Sequence, residues 1–480
     1  MSFFFYDLET SGFNPSQARI MQFAGIRTDE NLQPIGEPVN LLIKMAGDVL
    51  PSPEAIFVTG ITPQQTISEG LTEAEFLKYF YDEVVTPDTV FLGFNTVRFD
   101  DEFMRYLHYR NFYDPYEWQW KDGCSRWDIL DALRMTRALR PDGIEWPFTP
   151  EGKPTNRLEL MTKLNGLDHQ QAHDALSDVY ATIAVAKLIR DKQPGLFKYL
   201  LEARNKKAIS ELVLKGQPIV YTSGKYPSET LHTTAVAYLA DHPQSGSAFV
   251  FDLRYDPLPF AKMSVEELAA AWRWNPDKEA VRLPVKTMKY NRCPAVAPIG
   301  VLDAAAQARL QLPLETVQAN YNKLKAVQAE LTEKMIQVQQ LSEKERADAP
   351  AKEPVPVDGQ LYDGGFISDA DKDLMRTVRL APPAEMMSFE SKFHDARLKQ
   401  LLPLYLARNY PQALTTEQRA AWDEHRAQAL FAGGGSSQLA QYFAHLTELG
   451  KDDTLDDTKK FLLEELRLYG EAIMPSDVDG

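Results

Sequence analysis

Four short apolar runs near the N-terminus, Phe3–Tyr6, Ile20–Arg27, Val39–Ile43 and Val90–Phe94, alternate with helical patterns such as Ala74–Tyr81. Runs this short, rich in aromatic and β-branched residues, read as strands. Strands alternating with helices predict an α/β layered domain built on a sheet. A helix over Ala172–Ile189 closes the region, with Leu176, Val179, Ile183 and Ala186 near one face. This first domain is expected to span residues 1–195.

Beyond it the texture changes. Pro218–Tyr221, Thr234–Leu239, Ala248–Leu253 and Val281–Lys289 are β-like runs separated by Pro and Gly, which predicts a small barrel. Ala304–Glu345 reads as long amphipathic helix, interrupted by Pro313, with Val317, Leu324, Leu331 and Val338 at heptad spacing. It is expected to pack on the protein's own domains rather than on a coiled-coil partner. These elements make a middle domain over residues 196–350. The proline-rich stretch Ala349–Gly359 is the best linker, and a helical domain follows over residues 357–480. At 480 residues, two or three domains are the expectation in any case.

The first run ends in chemistry. Side chains alternate along a strand, so Asp7 and Glu9 in Tyr-Asp7-Leu-Glu9-Thr point to one face. Two like charges held together on a sheet are costly unless a cation neutralises them, and hard oxygen ligands suit Mg²⁺ or Mn²⁺. Two later segments add candidates. In Leu92-Gly-Phe-Asn-Thr-Val-Arg98-Phe99-Asp100-Asp101-Glu102 an apolar strand runs into three acids, any of which could be a ligand. In Ala172-His173-Asp174-Ala-Leu-Ser-Asp178, Asp174 is a plausible N-cap, leaving His173 just outside the helix and Asp178 in its first turns.

Composition narrows the setting. The formal charge of −16 argues against a generic basic nucleic-acid coat, although Lys187–Lys225 carries nine basic and three acidic residues. Cys124 and Cys293 form no disulfide framework or zinc site, which fits a reducing cytoplasm. No segment has the character of a signal peptide or membrane span, so a cytoplasmic chain without membrane contact is expected.

In this order Asp7, Glu9, Asp100, His173 and Asp178 resemble the DEDDh (DnaQ-like) family of 3′→5′ exonucleases, and Val58-Thr-Gly-Ile-Thr62 looks like that family's loop near the substrate 3′ end. Longer matches, such as Tyr109–Tyr116, Ser125–Asp128, Asn291-Arg-Cys-Pro294 and Ala407-Arg-Asn409, extend the resemblance over the chain and towards the bacterial exonuclease I family. The resemblance implies an RNase H-like exonuclease domain with a mixed central sheet, an SH3-like middle domain and an α-helical C-terminal domain. It implies processive hydrolysis of single-stranded DNA to 5′-mononucleotides, in DNA repair or recombination, by a monomer. Two Mg²⁺ ions, with Mn²⁺ a plausible substitute, would be held by Asp7, Glu9, Asp100 and Asp178, and Asp100 is favoured over Asp101 and Glu102 because it takes the motif position. His173 would be the general base.

For the strand itself, basic and aromatic side chains interleave between Arg98 and Arg140, and guanidinium groups on phosphates with rings under bases are the physics of single-strand binding. Arg105, Tyr116, Trp120, Arg134 and Arg157 are the candidate contacts, beside Glu9 at the 3′ end, with Lys225, Lys286, Lys289 and Arg292 added from the middle domain. The acidic tail of single-strand DNA-binding protein is the implied protein partner, with Arg140 a candidate for its groove. Rival readings are an RNA-directed or proofreading family member and a catalytically silent single-strand adaptor.

Overall fold

The computed structural model describes residues 1–167, 174–244, 246–277, 279–348 and 355–474. Its first sheet contains β1 (Ser2–Thr10), β2 (Ile20–Thr28), β3 (Val39–Leu42), β4 (Thr89–Gly93) and β5 (Ser125–Asp128), in the order β3-β2-β1-β4-β5. β1 runs antiparallel to β2 and parallel to β4, so the sheet is mixed, with β1 at its centre.

The alternation of β1 decides what covers each face. Phe3 and Phe5 pack with Leu133, Val179 and Ile183 under the helices Ile129–Leu139 and Ala175–Lys192. Phe4, Tyr6 and Leu8 pack with Phe76, Phe80, Leu107 and Trp118 on the other side. Asp7 and Glu9 follow the odd-numbered face, so the strand aims both carboxylates at the helix Ala175–Lys192. The helix expected over Ala74–Tyr81 is Glu73–Tyr79, closed by a capping box from Thr72 and Glu75, and it continues into a π-helical turn, Phe80–Val84.

The middle region holds a second, wholly antiparallel sheet of β6 (Ile219–Thr222), β7 (Thr233–Asp241), β8 (Ser247–Asp252), β9 (Val285–Lys289) and β10 (Ala295–Pro298). Its order is β10-β6-β7-β8-β9, and no ladder among the described residues joins β9 to β10. The small barrel expected from the sequence is met, among the described residues, as a five-stranded sheet without a closing ladder. The long helix divides at Pro313 into Ala304–Leu310 and the 35-residue helix Leu314–Asp348. Val317, Leu324, Leu331 and Val338 are all buried, in a core that also holds Val220, Ala235, Leu133 and Val179. The helix thus packs within its own chain, and the first and middle regions share one hydrophobic cluster.

From Asp369 onward the described chain is helical, including Asp369–Leu380, Ala396–Asn409, Thr416–Phe431, Gln438–Leu449 and Asp457–Ala472. These helices share two cores with the first region: Tyr109 and Phe112 pack with Leu401 and Tyr405, and Met21 and Ile56 with Leu430 and Leu466. Among the described residues no helix is long and apolar enough to cross a membrane.

Candidate active site

One carboxylate oxygen each from Asp7, Glu9 and Asp178 lies within 4.8 Å of the others. Two elements bring them together. β1 presents Asp7 and Glu9 opposite Ala24 and Gln22 of β2. The helix Ala175–Lys192 begins at Asp174, whose side chain caps it by accepting the Ser177 N–H at 3.1 Å, and this sets Asp178 in the first turn. Asp174 also accepts from the Gln22 amide at 3.3 Å, tying the helix start to β2.

Asp100 approaches from a third direction, at the start of the helix Asp100–Arg110, and is 3% exposed. It stands outside the triangle, yet its charge pushes the Asp7 carboxyl up. The loop that delivers it leaves β4 at Gly93, where a Cβ would lie 2.5 Å from the Tyr6 carbonyl oxygen, so only glycine fits. Asn95 then takes a left-handed φ of 72°. Asp128, the N-cap of the helix Ile129–Leu139, accepts the N–H groups of Asn95 at 3.0 Å, Val97 at 3.3 Å and Leu130 at 3.0 Å.

The electrostatics call for a cation. Burial first, then the charge of Asp7, pushes the Glu9 carboxyl up to about 9. Burial and neighbouring acids hold Asp7 and Asp100 well above the usual carboxylate range. Among the described residues none of these three forms an ion pair with Lys or Arg. Clustered, buried hard-oxygen donors of like charge fit a divalent metal centre, with Asp7, Glu9 and Asp178 the side chains that could hold it and Asp100 beside them.

The two rivals of Asp100 are engaged elsewhere. Asp101 accepts from Tyr6 Oη at 2.5 Å and from the Arg126 guanidinium. Glu102 accepts from Arg105 at 2.5 Å and Tyr362 at 2.5 Å, and pairs with Arg292 at 2.6 Å. His173 lies outside the described residues.

The expected strand contacts divide. Trp120 is 62% exposed, and Arg157, the N-cap residue of the helix Leu158–Leu164, is also exposed. Tyr116 is half-buried, with the Arg105 guanidinium 5.5 Å from its ring centre. Two arginines are engaged within the protein. Arg105 is only 4% exposed and is held by Glu102 and Gln119, and Arg134 is largely buried on Asp131 at 2.9 Å. The stem of each lies in a packed interior, where part of its fork is taken up by acids or amides. Arg292 likewise spends its fork inside the protein, on Glu102 and on the Val97 carbonyl at 2.7 Å. Lys225, Lys286 and Lys289 form no ion pair among the described residues. Burial, and then Lys286, Lys289, Arg98 and Arg292, hold the Lys225 ammonium below its usual range, so these cations crowd one another. Arg140, half-exposed, reaches Asp303 at 3.2 Å and the Val301 carbonyl at 3.1 Å.

Sequence reading did not single out Asp128 as a site-supporting residue, nor the inward use of Arg292. An aspartate ending a strand directly before a helix is the available signal for the first; for the second there was none.

A mixed sheet that aims carboxylates from one central strand and two helices into a single cluster defines a metal-dependent nuclease of the RNase H-like class. Family models agree: residues 4–186 match the Exonuclease family, residues 204–340 the Exonuclease I SH3-like domain and residues 356–473 the Exonuclease I C-terminal domain. The chain belongs to the exodeoxyribonuclease I family. It is 39% identical over 476 residues to exodeoxyribonuclease I of Haemophilus influenzae, covering 98% of each chain. It superposes on the crystal structure of Escherichia coli exonuclease I with a dA16 oligonucleotide at a TM-score of 0.91 and 38% identity, covering 98% of this chain and 100% of that one. A structure of SSB/exonuclease I with the inhibitor CFAM is similar at a TM-score of 0.87 and 37% identity, over 98% and 99% of the two chains.

Proposed function

We propose that this protein digests single-stranded DNA from its 3′ end, releasing 5′-mononucleotides by metal-dependent hydrolysis. The observation that carries this reading is the cluster of Asp7, Glu9 and Asp178 around one point. Asp7, Glu9, Asp178 and Asp100 would hold Mg²⁺, with Mn²⁺ a workable substitute. When bound, a pair of such ions lowers the pKa of water and neutralises charge developing at the phosphate. The protein's own contribution is placement: β1 fixes two acids, the capped helix start fixes Asp178, and the Asp128-bound loop fixes Asp100.

His173 is assigned the general base, taking a proton from the attacking water; an imidazole near its usual pKa of ~6.5 is partly neutral at cellular pH. Support comes from its place in sequence, one residue before the Asp174 cap. Trp120 offers a face for base stacking, Arg157 a charge for a phosphate, and Tyr116 a ring steadied by Arg105. The lysines 225, 286 and 289 extend positive charge along the middle domain, a path suited to holding the strand between successive cleavages. The acidic tail of single-strand DNA-binding protein is a further partner, consistent with the similar SSB/exonuclease I structure, and Arg140 is a candidate contact although Asp303 already occupies part of its fork.

The test is a digestion of 5′-labelled DNA and RNA strands of equal sequence with Mg²⁺, with Mn²⁺ and with chelator. Metal-dependent shortening of DNA from the 3′ end is expected. Preference for RNA, or binding without cleavage, overturns the reading.

A further inference from the structure

The three consecutive acids Asp100, Asp101 and Glu102 divide their labour. Only the first faces the carboxylate cluster. The other two fasten the helix that carries it to the rest of the molecule. Glu102, 13% exposed, receives Arg105 from its own helix, Arg292 from the middle domain and Tyr362 from the C-terminal domain. Asp101 receives Arg126, which also donates to the Asn291 carbonyl at 2.6 Å, next to Arg292.

Arg292 occupies the decisive position. Its Nη1 donates to the Val97 carbonyl at 2.7 Å, three residues before Asp100, and its Nη2 pairs with Glu102 at 2.6 Å, two residues after it. One planar guanidinium from the middle domain therefore spans the turn that presents Asp100. A bidentate fork of this kind fixes direction as well as distance, which a lysine cannot do. The same loop is also held by Asp128, by the Arg98–Asp131 pair at 2.5 Å and by its own backbone, the Asp101 N–H donating to the Thr96 carbonyl at 2.9 Å, but Arg292 is the contact that ties it to the middle domain.

We propose that Arg292 is a positioning residue for Asp100, and that with Glu102 and Tyr362 it makes cleavage conditional on both auxiliary domains being seated on the exonuclease domain. This rests on the single-strand exonuclease reading. It assigns Arg292 inward, to the nuclease site, and not to the phosphates of the strand.

The two assignments separate on a substrate too short to reach the middle domain. Single-turnover hydrolysis of the dinucleotide pdTdT and of a 30-nucleotide oligothymidylate is compared for the wild type, R292A, R292K and E102Q, with binding of the long strand measured in Ca²⁺. A positioning role predicts that R292A and E102Q slow both substrates by at least about ten-fold, since small misplacement of a site group is costly. Long-strand affinity and its salt slope stay within two-fold of wild type. R292K is expected to bind like the wild type yet stay nearly as slow as R292A, and guanidinium ion to restore part of the R292A rate. Wild-type dinucleotide hydrolysis in R292A, with weakened and less salt-dependent binding of the long strand, overturns the proposal. So does a rate loss in R292K accompanied by an equal loss of native structure in circular dichroism. If the wild type itself cleaves neither substrate, it is the exonuclease reading that fails.

Discussion

The carboxylate of Asp128 accepts the backbone N–H of Asn95 at 3.0 Å, and through that bond the end of β5 governs the loop leading to Asp100. Asp128 is buried beside Asp131, and burial with that neighbour pushes its carboxyl up to about 6. The raised value means that the native state prefers the proton. Asp128 therefore lowers stability progressively as pH rises from about 4, the unfolded value, to about 6, with no further change above. Replacing it by Ala would leave the N–H groups of Asn95, Val97 and Leu130 without this acceptor. A cost of about 1–3 kcal/mol for each that stays buried is expected, with a matching fall in turnover. D128N, which keeps one oxygen, should lie between; urea titration alongside single-turnover rates measures both.

Metal uptake should release protons. Without a cation Glu9 keeps its proton to about 9, whereas a ligand carboxylate must be ionised. Adding Mn²⁺ to the protein at pH 7 in weak buffer is expected to acidify the solution, and metal affinity to rise with pH between 7 and 9. E9Q should release fewer protons. Calorimetry in buffers of different ionisation enthalpy counts them.

Replacement of His173 by Ala is expected to lose most turnover while binding of a labelled strand in Ca²⁺ is retained. Hydrolysis near the wild-type rate would remove it as general base.

Phosphate binding by the middle domain is testable through salt. Removing Lys225, Lys286 or Lys289 should weaken binding and reduce the slope of log affinity against log salt by about 0.7 for each phosphate no longer neutralised. An unchanged slope means that the lysine replaced does not touch the backbone of the strand.

The junction with the C-terminal domain is ionic as well as apolar. Arg408 pairs with Asp48 at 2.5 Å and Asp358 at 2.6 Å, and Arg19 pairs with Asp358 at 2.9 Å. Although burial opposes ionisation, Arg408 holds both carboxyls well below the usual carboxylate range. Stability from this cluster is thus present above pH ~4 and lost as pH falls below it. R408A leaves two buried carboxylates short of a partner and should cost about 3–5 kcal/mol, read as a lower thermal midpoint at pH 7 and a smaller difference near pH 3.

Much of this was legible in the sequence because local physics wrote it there. The alternation around Asp7 and Glu9 gave their common face, and the polar residue before a periodic run gave the Asp174 cap. Runs bounded by Gly and Pro gave strands whose limits moved by a few residues, as with Thr234–Leu239, which extends to Thr233–Asp241. What escaped depends on how side chains pair once the chain has folded. Arg105 looks like a surface cation until Glu102 and Gln119 enclose it, and Arg292 looks free until a turn nearly 200 positions earlier accepts both its arms. β10 was missed for a local reason, because Ala295–Pro298 is four residues long and ends in proline.

The central place of β1 has a dynamic consequence. Its backbone is laddered to β2 along nearly its whole length and to β4 over Ser2–Phe5, and each face is covered by core. Fraying of an outer strand leaves it untouched, so the amides of Phe3–Phe5, just before Asp7, should exchange with solvent only through the rarest and largest openings. Loss of nuclease activity and loss of the sheet as a whole would then coincide on heating, with no folded but acid-scrambled species between them.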